Sequence, residues 1–234
     1  MSAPLARIRL AAAALAAAGV LFALYPGLRP WRDETTLQGA QEAMSSPWWV
    51  ATHLFAMIGF ILVPLALLAV RRVVDGTRAE PLALTAAVTA WIGAGLTLPY
   101  YGAEDFALHV LAAESTGGAQ LDLLGLAEGI RYQPVAITTF GIGLILLGVG
   151  AVLAAVAIAR SGVLPRLSGV LFAVGFATFL PQFFTPAAMR VGHGLLVAAG
   201  CIWLAVTLWR APSTAAAAEA PTTTTTTTTA PVAS

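Results

Sequence analysis

The chain has no lysine, no asparagine and only one cysteine, Cys201. A lone cysteine excludes an intramolecular disulfide and a thiolate metal cage, and its place in an apolar run predicts a buried, inert thiol. The missing lysine and asparagine, with alanine abundant, match the codon bias of a GC-rich bacterial genome and carry no functional reading. Charge is scarce as well, at 10% of 234 residues, where a soluble domain carries about a quarter. So little polar surface cannot cover a water-soluble globule. With 59% hydrophobic residues and a mean hydropathy of +0.84, the chain's solvent is lipid. The bilayer is the expected partner, and no nucleic acid is expected.

A hydrocarbon core of roughly 30 Å takes about 20 helical residues at ~1.5 Å each. Six runs meet or approach that length: 8–25, 47–70, 81–101, 134–159, 163–180 and 186–208. The predicted fold class is all-α, a polytopic bundle of six transmembrane spans over residues 1–210. An Ala/Pro/Thr-rich tail, 211–234, cannot bury apolar surface and is expected to be disordered. Ser46-Pro47, Glu80-Pro81 and Thr185-Pro186 are start signals, since proline at the first helical position loses nothing by lacking its N–H. Ser46 and Thr185 can also cap the amides behind them. Arg7 and Arg9 before an apolar stretch also fit a signal peptide. That stretch leads into Tyr25-Pro26-Gly27 rather than a small-residue cleavage site, so an uncleaved span is expected.

Arginines orient the bundle. With the N-terminus inside, Arg7, Arg9, Arg71, Arg72, Arg78, Arg160, Arg166 and Arg210 are cytoplasmic, and only Arg29, Arg32, Arg131 and Arg190 are outside. Eight against four is the positive-inside bias, and it places both termini in the cytoplasm of a bacterial plasma membrane. Trp48-Trp49 and Tyr100-Tyr101 are then expected in the outer aromatic belt. The outer segments 26–46 and 102–133 are expected to roof the bundle. The first holds a short helix over 37–44 capped by Thr36. In the second, Phe106, Val110 and Leu111 oppose Asp105 and His109, and Leu121, Leu124 and Ile130 oppose Asp122 and Glu128, as in surface-lying amphipathic helices.

Ionisable residues inside a membrane are expensive and are read first as functional candidates. His53 and His193 each lie roughly 9–11 Å along a span from its outer end, and His109 lies on the outer segment four residues after Asp105. Together with Glu104, these residues form a candidate His/carboxylate site of the kind that zinc and other borderline divalent ions prefer. Water bound to such an ion becomes a nucleophile near neutral pH, which points to a metal-dependent hydrolase or oxidoreductase. The competing use of His53 and His193 is to clamp a b-type haem. A transporter is the third class, with Pro64 and Pro99 as helix breaks, although no charge lies near the midplane. A structural or accessory role is the fourth, in which the histidines serve only as interhelical hydrogen-bonding residues. Arg190 is expected to snorkel outward or to bind an anionic headgroup or a substrate carboxylate. Gly141, Gly143, Gly148 and Gly150 form a heptad-spaced packing seam, whose sharper reading is a homodimer interface.

Overall fold

The computed structural model describes residues 3–211, which hold helices and turns and no strand. From residue 212 on, the expected disordered tail lies outside the described residues. In chain order the helices are α1 (Ala3–Leu28), α2 (Leu37–Met44), α3 (Pro47–Val73), α4 (Glu80–Gly102), α5 (Leu108–Thr116), α6 (Leu123–Arg131), α7 (Pro134–Ser161), α8 (Val170–Ala177) and α9 (Ala187–Trp209). A π-helical turn, Ala103–Ala107, joins α4 to α5 without a break. Five of these helices, α1, α3, α4, α7 and α9, are long and apolar enough to cross a membrane.

The start signals act as expected at α3, where Ser46 Oγ accepts from the amide of Trp48 and Pro47 is the first helical residue. Thr36 likewise caps α2 through Gly39 N–H. Thr185 does not cap α9. Its hydroxyl donates to the Gln182 carbonyl at 2.7 Å, and α9 starts from Pro186 with no side-chain cap. Pro64 and Pro99 do not break α3 or α4.

The expectation of one long helix over 163–180 is corrected. Only Val170–Ala177 is α-helical, and a 3-10 turn, Pro181–Phe184, follows. The reason is local. Beyond Ala177 the ladder tightens, with Phe179 N–H donating to Phe176 O and Phe183 N–H to Leu180 O, and Pro181 has no N–H to give. His193 on α9 takes over the Gly175 carbonyl, its Nε2 at 2.9 Å. With the Thr178 hydroxyl, which lies 3.3 Å from the same oxygen, it satisfies a backbone group at the end of the interrupted helix.

Six elements close into a ring in the order α1, α3, α4, α7, α8, α9 and back to α1. Each neighbour runs antiparallel to the last. Gly194 lies on Phe22 and Pro26 while Gly19 lies on Ala198 and Cys201. Gly169 meets Ala155 while Gly148 meets Ala177, and Gly175 meets Val197 while Gly200 meets Phe172. Small residues let these backbones approach. The heptad glycines divide. Gly143 and Gly150 face α4 at Gly93, Thr97, Ala86 and Ala90, Gly148 faces the end of α8, and Gly141 faces open space. Three of the four are consumed inside the chain, which removes them from the homodimer interface expected of them.

Outside the ring, Leu54, Ile58, Ile61 and Leu65 on α3 and Ile142, Ile145, Val149 and Val152 on α7 are exposed. Such an apolar wall suits lipid and not water. Inside, Phe22, Phe60, Phe176 and Phe179 meet ring to ring at 5.0–5.6 Å and fill the bore. Cys201 is fully buried, as expected.

A second, smaller core roofs one end of the ring. It gathers Ala40, Ala43 and Met44 of α2, Trp49, Leu108 and Ala112 of α5, and Leu123 and Ala127 of α6. The expected facing of the stretch around 104–113 is reversed here. Asp105 is 0% exposed, whereas Phe106 and Val110 are 50% and 58% exposed. Phe106 and Val110 continue the outer face of α4, while Leu111 packs on the roof core and Asp105 turns under the roof. The adjacent aromatics also separate. Trp48 stays exposed and Tyr100 is half-buried, stacked on Phe140, whereas Trp49 and Tyr101 are buried, since neighbours on a helix point about 100° apart.

Candidate functional site

The polar residues of the roof end form one layer, and arginines and tryptophans alternate along it. The Arg190 guanidinium lies 4.9 Å from the Trp31 ring and Arg29 lies 5.1 Å from the same ring. Arg29 then stands 4.6 Å from Trp49, and Arg131 stands 5.9 Å from Trp49. The indole N–H groups are committed, Trp31 to Pro26 O at 2.8 Å and Trp49 to Glu104 O at 3.3 Å. Each cation–π contact with a partly desolvated arginine is worth about 1–2 kcal/mol.

Two carboxylates bind this ladder into a network. Glu34 takes Arg29 Nη2 at 2.9 Å on one oxygen and Arg131 Nη2 at 2.7 Å on the other. Glu104 takes Arg131 Nη2 at 3.0 Å and lies 3.9 Å from Arg29. Arg29 Nη1 also donates to the Tyr25 hydroxyl at 3.4 Å. Burial pushes the Glu34 carboxyl up, but Arg29 and Arg131 outweigh it and hold it below the usual carboxylate range. Burial pulls the Arg131 guanidinium down, and Glu104 and Glu34 more than restore it, keeping it above the ordinary arginine value. Four mutually paired charges therefore tie the end of α1, the 31–36 loop, the π-helical turn and α6 together.

Beneath this network lies His53, fully buried against Trp49, Tyr25 and Tyr101 at ring distances of 4.5, 5.6 and 5.9 Å. Its Nδ1–H donates to Trp49 O at 2.7 Å, which leaves Nε2 as the lone-pair nitrogen. Among the described residues Nε2 has no hydrogen-bond partner, and neither does either oxygen of buried Asp105.

The sequence expectation of a His53, His109, His193, Asp105 and Glu104 metal site finds no support in this arrangement. Among the described residues no three His, Cys, Asp or Glu side chains form a group that could hold a metal ion. Each histidine instead serves a different carbonyl: His53 that of Trp49, His109 that of Met44 at 2.7 Å, and His193 that of Gly175. His109 clips α5 to the end of α2 rather than pairing with Asp105. Glu104 is held by arginines. The haem reading meets the same obstacle, because His193 gives its Nε2 to a carbonyl. The space beside His193, between Tyr25, Trp31, Gln182 and Arg190, is ≈ 10 Å³, enough for about one water.

Arg190 does not simply snorkel. Its Nε donates to Gln182 Oε1 at 3.2 Å, and its Cζ also sits 4.9 Å from the Phe183 ring. Sequence reasoning missed Arg29, Glu34, Arg131, Trp31 and Gln182. The available signal was the crowding of Arg29, Arg32 and Arg131 with five glutamates into segments 26–46 and 102–133, which had to share one small roof.

Asp105 gives a direct test of how tightly this layer is built. An unpartnered buried polar group is worth about 1–3 kcal/mol of lost stability. Asp105→Leu, which keeps the branched shape, is expected to raise the thermal midpoint of the detergent-solubilised protein. A lowered midpoint would show that the carboxylate holds a partner. Set against known proteins, the chain matches no protein-family model, no curated protein and no solved structure.

Proposed function

We propose that the chain crosses the plasma membrane six times, with its roof outside and both termini in the cytoplasm, and acts as a one-sided binding protein. The observation that carries this reading is the position of the polar layer above a dry plug. The buried ion network of Arg29, Glu34, Glu104 and Arg131 and the neighbouring Arg190 lie at the roof end, and the phenylalanine cluster closes the bore below them. Transport needs polar groups near the midplane. The buried polar residues nearer the other end, Ser168 and Thr207, are spent on backbone carbonyls.

Residues 163–186 supply the sixth crossing as an interrupted segment. Arg166 Nε donates to Ala159 O near one end of α7, and Phe183 packs 5.5 Å from Phe140 near the other. The stretch of α7 between those contacts is about 28 Å long at the α-helical rise, close to the hydrocarbon thickness of roughly 30 Å. The arginine bias supports the orientation.

The reading is tested by single cysteines in a Cys201→Ala background, labelled with a membrane-impermeant maleimide. Gln120→Cys and Phe184→Cys are expected to label in intact cells, and Arg78→Cys and Val163→Cys only after permeabilisation. Val163 and Phe184 labelling from the same side would remove the sixth crossing. Ion flux through proteoliposomes would overturn the one-sided reading.

A further inference from the structure

We propose that Arg190, the buried Gln182 amide and the first turn of α9 form a site for the phosphate of an outer-leaflet lipid headgroup. The inference rests on the orientation proposed above for the side of the membrane, but not for the binding chemistry.

Glu34 and Glu104 pair with Arg29 and Arg131, and Arg190 stands outside that network. None of the ion pairs among the described residues includes it. A guanidinium has five N–H donors. Arg190 gives the one on Nε to Gln182 Oε1, and the other four have no hydrogen-bond partner among the described residues. Trp31 and Phe183, both 4.9 Å from Cζ, hold it in place. Ordering a flexible arginine has an entropy cost that an anion would otherwise have to overcome, and here the fold has already met it.

Two further donors lie in the same stretch. Gln182 is 8% exposed, its oxygen is taken by Arg190, and its NH₂ has no partner among the described residues. The amides that open α9 have no side-chain cap because Thr185 turns away to the Gln182 carbonyl. The start of a 23-residue helix carries a partial positive charge that favours anions. A cluster composed of donors, with no carboxylate to neutralise it, calls for an oxyanion with several acceptor oxygens. Arg190 lies in the first turn of α9, the depth at which a spanning helix meets the phosphate layer flanking the hydrocarbon. The planar guanidinium fork matches phosphate oxygens two at a time.

The test is native mass spectrometry of the detergent-solubilised full chain with phosphatidylglycerol, and with diacylglycerol of the same acyl chains as the phosphate-free probe. Phosphatidylglycerol is expected to be retained in preference to diacylglycerol, and Arg190→Gln to weaken that retention about tenfold, the equivalent of one charge-assisted pair. Arg32→Gln removes the same charge from the exposed roof pair with Glu42 and is expected to leave retention unchanged. Displacement of the lipid by millimolar inorganic phosphate would assign the site to a free oxyanion, and resistance to displacement would assign it to the intact headgroup. Equal retention of both lipids, or equal losses in Arg190→Gln and Arg32→Gln, would overturn the proposal. Should Arg190→Gln fail to fold, Arg190→Lys decides: a several-fold loss supports the two-pronged site and unchanged retention overturns it. Because binding in detergent does not depend on orientation, its failure and a failure of the maleimide test are separate results.

Discussion

Gly143→Leu is expected to force α4 away from α7, while Gly141→Leu, two residues earlier on the same helix, leaves the fold intact. A Cβ at Gly143 would lie 2.5 Å from Thr97 Oγ1, 2.9 Å from the Gly93 carbonyl and 2.9 Å from the Thr97 amide. Two of those three atoms are backbone and cannot swing aside. Overpacking of a well-fitted interior costs about 1–3 kcal/mol when side chains can yield, and here the main chain must yield. The expected loss is therefore at the upper end of that range, about 3 kcal/mol. At Gly141 an added Cβ meets nothing within 4 Å, and a leucine there faces the same surroundings as exposed Ile142 and Ile145. Thermal unfolding and size-exclusion profiles in detergent check both variants. A native-like midpoint for Gly143→Leu would mean that α4 and α7 do not meet along this seam.

The second large effect is expected at Arg131. Arg131→Ala takes one cation out of a four-charge network whose members are 5–19% exposed. Removing one partner of a buried pair costs about 3–5 kcal/mol, chiefly because the other charge is stranded. Arg29 still holds Glu34 at 2.9 Å and lies within 3.9 Å of Glu104, so the loss is expected near the lower figure. It is expected to concentrate in the roof, with faster hydrogen exchange over 103–131 and little change in α3 or α7. Acid acts on the same contacts. The Glu34 carboxyl is held below its ordinary 4.5, so its contribution is fully present above that pH and is lost as pH falls through the lower folded value. The roof should therefore loosen on acidification below about pH 4.5 and not on alkalinisation. In Arg131→Ala the Glu34 carboxyl moves back toward its ordinary value, so the loss begins at the same pH, is complete at a higher pH and has a smaller amplitude. Protection factors over 103–131 that stay constant as pH falls through this range in the native chain would remove Glu34 from the network.

Much of the frame was legible because it depends on features near in sequence. Apolar runs of 18 residues or more, proline after Ser46 and threonine before Leu37 are local signals, and five long helices and two caps follow from them. The break after Ala177 was not legible. Residues 169–177 are apolar throughout, and beyond them the Gly175 carbonyl is taken by side chains, Thr178 and His193, the latter 18 positions away. The histidines show the same gap between one dimension and three. Counting residues from a helix end gives depth, and by depth His53 and His193 match. Direction around the helix axis is fixed by packing, and it turns His53 to Tyr25 and Tyr101 and His193 to Phe179. The ion network joins residues up to 97 positions apart, and no spacing in the sequence announces it. The reversed stretch around Asp105 misled for a related reason. An amphipathic pattern tells which faces differ but not which one meets lipid when both sides of a helix are occupied.

The closed ring has a consequence for how the protein is made. α1 is among the first segments to leave the ribosome, yet the surface that carries Gly19, Phe22 and Pro26 is completed by α9, the last described helix. Through synthesis of everything from Arg29 to Pro186, that face of α1 waits in the bilayer for its keystone. A premature stop before α9 would leave an open arc with a bare glycine groove along α1 and a Gly175 carbonyl without its His193 contact. The cell's membrane proteases would meet such a product as an orphan to be cleared rather than as a smaller working bundle.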